Sequence, residues 1–398
     1  MRVVPPVVEA SQPIVARVMQ TLAARSAVAL LVRNPLIDPR FPDTSDLDFL
    51  AVADIKEFRS ERLQFAAPYA TSRMVDVAWL PWAWFDAPEA TAARGWVPHR
   101  LLTSDVVFDS GRDVAGYLEQ VRLQMYHPAV QQKRLNTFLD IGFETVREIG
   151  ITWDFPALAL FWLHMSHAAC LAAALDAMRR LCPNVYTRPF DYLDDLEDRI
   201  GAGVRTAWVG ALRLDVALEP LVTALRRVHV TVATKFPEPE WPDTIRNGTR
   251  FEYRYWLSRA ELDWRIDVAR EMARCHEPAG AVFYLRFCAY AIARLPMLHA
   301  RARNGEDDVS FLRPEKAILP ELQRLVPEII DDLSIVLAGT RDLDRAAVTS
   351  SLSSLYAFRD LVAGCLRDCD APVPEQKTWA PYEPALMHAD RTEARCPS

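Results

Sequence analysis

The sequence predicts an α+β chain: a small mixed sheet with flanking helices at the N-terminus, then a mainly α-helical C-terminal region. Three observations predict it. Short apolar runs of strand length recur through the first 117 residues and then fade. From there onward, segment after segment carries apolar residues at helical spacing. A proline-punctuated stretch, Lys235–Asp243 (KFPEPEWPD), interrupts the helical part, because proline disfavours helix in itself and in the residue before it.

The elements follow in order. Gln12–Ala24 is expected to be a helix, with Ile14, Val18, Met19 and Leu22 on one stripe and Pro13 near its start. Ser26–Val32 (SAVALLV) and Leu47–Ala53 (LDFLAVA) are apolar enough for buried strands. The charged segment Ile55–Gln64 is expected to be helical, and Met74–Leu80 (MVDVAWL) forms a third strand. Asp105–Phe108 (DVVF) gives a fourth, closed by the turn Asp109-Ser110-Gly111. Helices are then expected over Tyr117–Glu148, Pro156–Arg180, Arg188–Arg199, Val204–Val232, Tyr255–Arg274, Ala279–Arg303 and Arg345–Asp368. The resulting units are 1–117 (sheet domain), 118–235 (helical domain), 244–370 (second helical layer) and 371–398 (a loose, proline- and charge-rich tail).

Composition excludes several classes. At 398 residues, 51% hydrophobic and 25% charged, the chain has material for a large core and is no disordered segment. Its 46 basic and 53 acidic residues give a net charge of −7, which argues against broad binding to nucleic acid or an anionic membrane. The 13 glycines begin only at Gly95, and neither a G-x-x-x-x-G-K loop nor a G-x-G-x-x-G fingerprint occurs. The 7 cysteines include no C-x-x-C pair and fit reduced, buried thiols. Met1–Ser11 lacks the basic start and apolar run of a secretory signal, so a cytoplasmic location is expected. Phe155–Leu175 carries no formal charge and could span a bilayer by length. His164, Ser166 and His167 within it favour a buried bundle helix, and no membrane partner is expected.

The sharpest chemical feature is Thr44-Ser45-Asp46-Leu47-Asp48-Phe49-Leu50. Side chains alternate along a strand, so Asp46 and Asp48 share one face. Two carboxylates on one face repel unless a cation lies between them. Asp76 interrupts another apolar strand, Met74-Val75-Asp76-Val77-Ala78, where an unpaired carboxylate is costly. If the two strands are neighbours, three carboxylates converge, a set suited to two Mg²⁺ ions and in-line phosphoryl transfer.

These residues resemble the nucleotidyltransferase domain of the DNA polymerase β superfamily, in particular its small-molecule, aminoglycoside-type branch. That pattern is an apolar strand, Gly-Ser, about ten residues, D-x-D and a third acid one strand later. Val28–Val32 matches the strand, and Asp46, Asp48 and Asp76 match the acids. His99–Gly111 is similar to the closing strand and Asp-x-x-Gly turn, while Phe161–Arg180 and Pro183–Phe190 resemble helical segments of that branch. The likeness covers about residues 12–200. It implies transfer of a nucleoside monophosphate from an NTP, with ATP expected, to a hydroxyl of a small molecule. Asp46, Asp48 and Asp76 would be catalytic metal ligands holding two Mg²⁺ ions. Ser45, Arg33 and Asn34 would contact the nucleotide. The base would be a carboxylate early in the helical domain, Glu144 by position, with Glu148 one turn away as the alternative. A homodimer is compatible with this reading. One departure stands out: Arg33-Asn34-Pro35 replaces Gly-Ser, removing the glycine that lets backbone approach a triphosphate. The alternative reading is therefore a catalytically divergent member with a binding or regulatory role. Action on a protein or tRNA is a third reading, and the net charge disfavours the tRNA.

Other features have plainer explanations. His164 and His167 share a helix face without an identifiable third ligand, so core histidines are expected. Asp191, Asp194, Asp195, Glu197 and Asp198 could attract a cationic acceptor but read more simply as a solvated helix face. Arg294-Leu-Pro-Met-Leu-His299 has the Arg-x4-His spacing of helical HEPN ribonucleases, interrupted by Pro296. Trp79, Trp82 and Trp84 are expected in packing rather than in base stacking.

Overall fold

The computed structural model describes residues 16–33, 47–56, 59–63, 75–85, 87–151, 154–201, 203–245, 247–275, 277–306 and 318–368. A helix, α1 (residues 16–23), precedes strand β1 (Ala27–Arg33). The sheet continues with β2 (Leu47–Ala53), β3 (Arg59–Leu63), β4 (Val75–Pro81) and β5 (Ser104–Asp109). Its order is β3-β4-β2-β1-β5, with β2 and β4 parallel and the other neighbours antiparallel. The molecule is thus mixed α and β, with a small mixed sheet and a mainly helical remainder. Pairing of β2 beside β4, the condition for bringing the aspartates together, is met.

Alternation buries both faces of the sheet. One face, with Leu30, Val32, Phe49, Ala51, Val75, Val77 and Trp79, packs against Val18 and Leu22 of α1. The other, with Ala29, Leu31, Leu50, Val52 and Leu80, packs against three helices. These are α2 (Pro88–Ala92), α3 (Val97–Leu102) and α4 (Val114–Met125), so α4 belongs to the core of the sheet layer. Asp109 closes the sheet as expected. Its carboxylate accepts from the backbone N–H groups of Gly111, Arg112 and Val114 and so seats the start of α4.

The segment expected to be the helix Ile55–Gln64 contains strand β3 instead. Pairing overrode the charged composition: Arg-Ser-Glu-Arg-Leu forms an edge strand, where charge on the outer rim is favourable. Glu61 accepts from the Trp79 indole at 2.9 Å and pairs with Arg25, which ties the edge inward.

The helical layer is built from α5 (Pro128–Ile151), α6 (Pro156–Ala177), α7 (Phe190–Ile200), α8 (Val204–Ala211) and α9 (Leu218–Lys235). It continues with α10 (Asn247–Leu257), α11 (Arg259–Arg274), α12 (Pro278–Ala293), α13 (Leu295–Arg303), α14 (Ile318–Leu325), α15 (Ile330–Ala338) and α16 (Arg345–Asp368). Three expected long helices are broken in two. Tyr117–Glu148 breaks before Pro128, and Ala279–Arg303 breaks at Arg294, two residues before Pro296. Val204–Val232 breaks at a turn where Arg213 has φ 51°. Helices α6 and α12 form the centre. Both are apolar all round rather than amphipathic, as expected for helices surrounded by protein. Among the described residues, two segments are long and apolar enough for a membrane, Pro156–Ala177 and Pro278–Arg303, and the apolar stretch of each is 100% and 94% buried inside the protein. They are core helices. The tail at 371–398 lies outside the described residues.

Candidate functional site

The parallel register between β2 and β4 sets Asp48 directly opposite Asp76. Adjacent strands lie about 4.8 Å apart, so the two residues occupy one short row on the sheet. By alternation both belong to the face that carries Leu50, Val52 and Leu80. Each is half-buried, at the end of its strand where the apolar core gives out. Arg33 closes β1 one position beyond the Val32–Phe49 pair, and position 62 of β3 stands opposite Asp76 in the strand register on the other side. The starts of β2 and β4 and the end of β1 therefore meet at one rim of the sheet.

Asp46, Ser45 and Asn34 lie outside the described residues, as do the side chains of Arg33, Glu144 and Glu148, although α5 carries both glutamates. Among the described residues, no group of three or more His, Cys, Asp or Glu side chains is close enough to hold a metal ion. Asp48 and Asp76 alone supply hard oxygen donors of the kind Mg²⁺ prefers, and a third carboxylate from the preceding segment would complete the set.

A residue that sequence reasoning missed approaches the same rim. Helix α10 packs on β3, and its Glu252 lies within electrostatic reach of Asp76, Arg265 and Arg294. Burial raises the Glu252 carboxyl above its ordinary range and Asp76 adds to that, while the Trp256 indole and the two arginines oppose it. Trp256 Nε1 donates to Glu252 at 3.0 Å. The Arg265 guanidinium lies 4.2 Å over the Trp256 ring and donates to the Tyr284 and Tyr255 hydroxyls. Both arginines are buried, whereas Glu252 keeps part of its surface accessible. Glu252 in the sequence looks like any glutamate on an aromatic-rich helix. Only the fold returns α10 to the sheet edge.

The second polar cluster is internal. Arg134 of α5 grips Asp176 of α6 through Nε at 2.7 Å and a second contact at 3.1 Å. The same guanidinium donates to the Ala92 and Met125 carbonyls of the sheet layer. His99 of α3 sets Nε2 3.3 Å from Asp176, and its Nδ1 accepts from the Cys182 backbone N–H. Cys182, His99 and Asp176 form a row reminiscent of a nucleophilic triad, with Sγ 3.8 Å from Nδ1. They are sealed from solvent, and burial pushes the thiol well above its ordinary range, so no nucleophile is presented. Burial lowers His99, against the pull of Asp176. Burial alone would raise Asp176, but His99 and Arg134 together hold it below the ordinary range. The cluster docks the sheet layer onto the helices. One signal was present: Asp176 is the lone acid of apolar α6, and such a group needs a partner.

The remaining motifs serve packing. His164 and His167 are buried in the centre; His167 Nδ1 lies 2.8 Å from the Leu163 carbonyl and the ring stacks on Phe358. On α7, Asp194 pairs with Arg205, Asp191 with Arg188 and Asp195 with Arg180, while Glu197 accepts from two backbone N–H groups. Arg294 is buried near Glu252, whereas His299 packs on Phe236 and Tyr253. Trp79 is fully buried, and Arg112 and Arg94 stack over the half-exposed Trp82 and Trp84.

No protein-family model matches this chain, and no curated protein sequence matches it.

Proposed function

We propose that the protein is a metal-dependent nucleotidyltransferase that moves a nucleoside monophosphate from an NTP to a hydroxyl of a small molecule and releases pyrophosphate. The observation that carries this reading is the in-register pair Asp48 and Asp76 at the rim where β1 ends. Asp46, Asp48 and Asp76 are the residues that would hold two Mg²⁺ ions. When bound, such ions neutralise phosphate charge and lower the pKa of an attacking hydroxyl. The face of the sheet that carries both aspartates is backed by helices, which suits a reaction that must limit loss of the NTP to water. Arg33 is the candidate phosphate contact in place of the missing Gly-Ser, since a guanidinium matches phosphate oxygens. The acceptor is a hydroxylated small molecule, and a cytoplasmic setting belongs to the same reading.

The second reading, a non-catalytic relative that binds nucleotide or metal, is favoured by Arg33-Asn34-Pro35 in the phosphate loop. One experiment separates them. The purified protein is incubated with Mg²⁺ and each of the four NTPs, with pooled hydroxylated metabolites as acceptors, and pyrophosphate release is followed. Turnover that falls by orders of magnitude in Asp48→Asn, with the thermal melt preserved, supports transfer. NTP binding without pyrophosphate release supports the second reading. Absence of both Mn²⁺ and NTP binding rejects both.

A further inference from the structure

After α6 the connection 178–189 runs against α3, and there a backbone N–H has an imidazole as its acceptor. The Cys182 N–H donates to His99 Nδ1 at 3.2 Å, and Cys182 Sγ lies 3.8 Å from the same nitrogen. A ring nitrogen that accepts carries no proton, so the single proton of the neutral ring sits on Nε2, 3.3 Å from the Asp176 carboxylate. Arg134 holds that carboxylate at 2.7 and 3.1 Å. His99 and Asp176 are sealed from solvent, and Cys182 is 1% exposed. A proton on Nδ1 would turn the acceptor into a donor and set it against the Cys182 N–H, two buried donors facing each other. The sulfur is too weak an acceptor to relieve them. A second tie to α3, Arg100 Nε to the Pro183 carbonyl, is long at 3.4 Å. Val185 and Tyr186 anchor the rest of the connection in the helical core, so residues 181–183 are the part that can lift.

We propose that His99 is a proton switch in the joint between the sheet layer and the helices: neutral, it latches the Cys182 backbone; protonated, it releases residues 181–183 and opens the Cys182 thiol to solvent. The switch is independent of the chemistry at the Asp48–Asp76 rim. Its direction follows from the groups around the ring. Asp176 comes from α6, Arg134 from α5 and Cys182 from the connection, with Tyr126 at the end of α4 under Arg134 and Arg179. Against the upward push of burial, His99 and Arg134 hold Asp176 below the ordinary carboxylate range, and burial raises the Cys182 thiol and the Tyr126 phenol. None of these changes charge between about pH 4.5 and 7.5, and a guanidinium keeps its charge throughout. Burial lowers His99 itself, and lifting of 181–183 returns water to the ring. The open form therefore takes up the proton first, and its population grows as pH falls below 6.5, by up to about tenfold per pH unit for one proton.

The test labels the full-length protein with 4,4′-dithiodipyridine, a disulfide that exchanges with thiols in acid as well as at neutral pH, and follows each cysteine by peptide mass spectrometry. Rates are divided by that of a free thiol at the same pH. Cys170, Cys288 and Cys365, buried in α6, α12 and α16, report general unfolding. Between pH 6.5 and 5 the Cys182 rate is expected to rise roughly 5- to 15-fold while those three stay flat. In His99→Gln, whose amide accepts and donates like the neutral ring but takes up no proton, Cys182 is expected to stay protected at both pH values. Labelling of Cys182 that ignores pH, or that rises in step with the three helix cysteines, overturns the proposal. So does an acid rise of the same size in His99→Gln. Should the Gln variant fail to hold the connection, with Cys182 reacting at pH 7.5 as fast as in the parent at pH 5, the parent alone decides: a rise below about twofold between pH 6.5 and 5 overturns the switch.

Discussion

Burial sets the charge state of His167, and that has a measurable consequence. The ring is sealed between Phe358 and Trp208, and burial pushes its pKa from 6.5 down to about 4, despite the bond to the Leu163 carbonyl. In the unfolded chain the imidazole takes up its proton near pH 6.5, whereas in the folded protein it resists until about pH 4. Stability from this group is therefore complete above pH 6.5 and is lost as pH falls toward 4, by roughly 3 kcal/mol. His99 and His164, also lowered, drain stability in the same direction. Urea denaturation at successive pH values should show a steep acid limb below pH 6.5. His167→Leu should flatten that limb; an unchanged slope would show that the ring is not the sealed group described.

At the scale of elements, the turns show how much the sequence discloses. Strands β1, β2, β4 and β5 were legible because each is a short apolar run, and the two central helices because long, mostly apolar runs at helical length carry few polar residues. Strand β3 was not, since Arg59, Glu61 and Arg62 have no apolar period and the strand exists only through pairing with β4. Helices α10, α14 and α15 were missed for a related reason: short helices depend on the surface they dock against. Of the candidate rim, Asp48 and Asp76 were readable as charges inside apolar strands, while Glu252 was invisible without the fold. Gly339 is a further case. It ends α15 at φ 77°, and an added Cβ would meet Val216 Cγ1 at 2.6 Å. Gly339→Ala is expected to cost at least about 1 kcal/mol through the left-handed backbone, with more from the contact. A thermal melt lowered by several degrees checks it.

Over the whole molecule, the Arg134–Asp176–His99 cluster decides whether sheet layer and helices behave as one body. Arg134 reaches Ala92 and Met125 on one side and Asp176 on the other, all without solvent. Breaking a buried pair by removing one partner leaves an uncompensated charge and costs about 3–5 kcal/mol. Asp176→Asn should lower stability by that order and turn a single denaturation transition into two, the sheet layer parting first. A single, unshifted transition would assign the coupling elsewhere. The return of α10 to β3 bears on the order in which the chain is made. Helix α10 ends at Leu257, nearly two hundred residues after the strand it covers, so the β3 edge leaves the ribosome long before its cover does. During that interval the charges of β3 are its own defence against pairing with another chain. Closing so long a loop is slow relative to local helix formation, which places the covering of the β3 edge late in folding. A nascent chain would then carry its β3 edge for most of its synthesis before it carries the helix that packs on it.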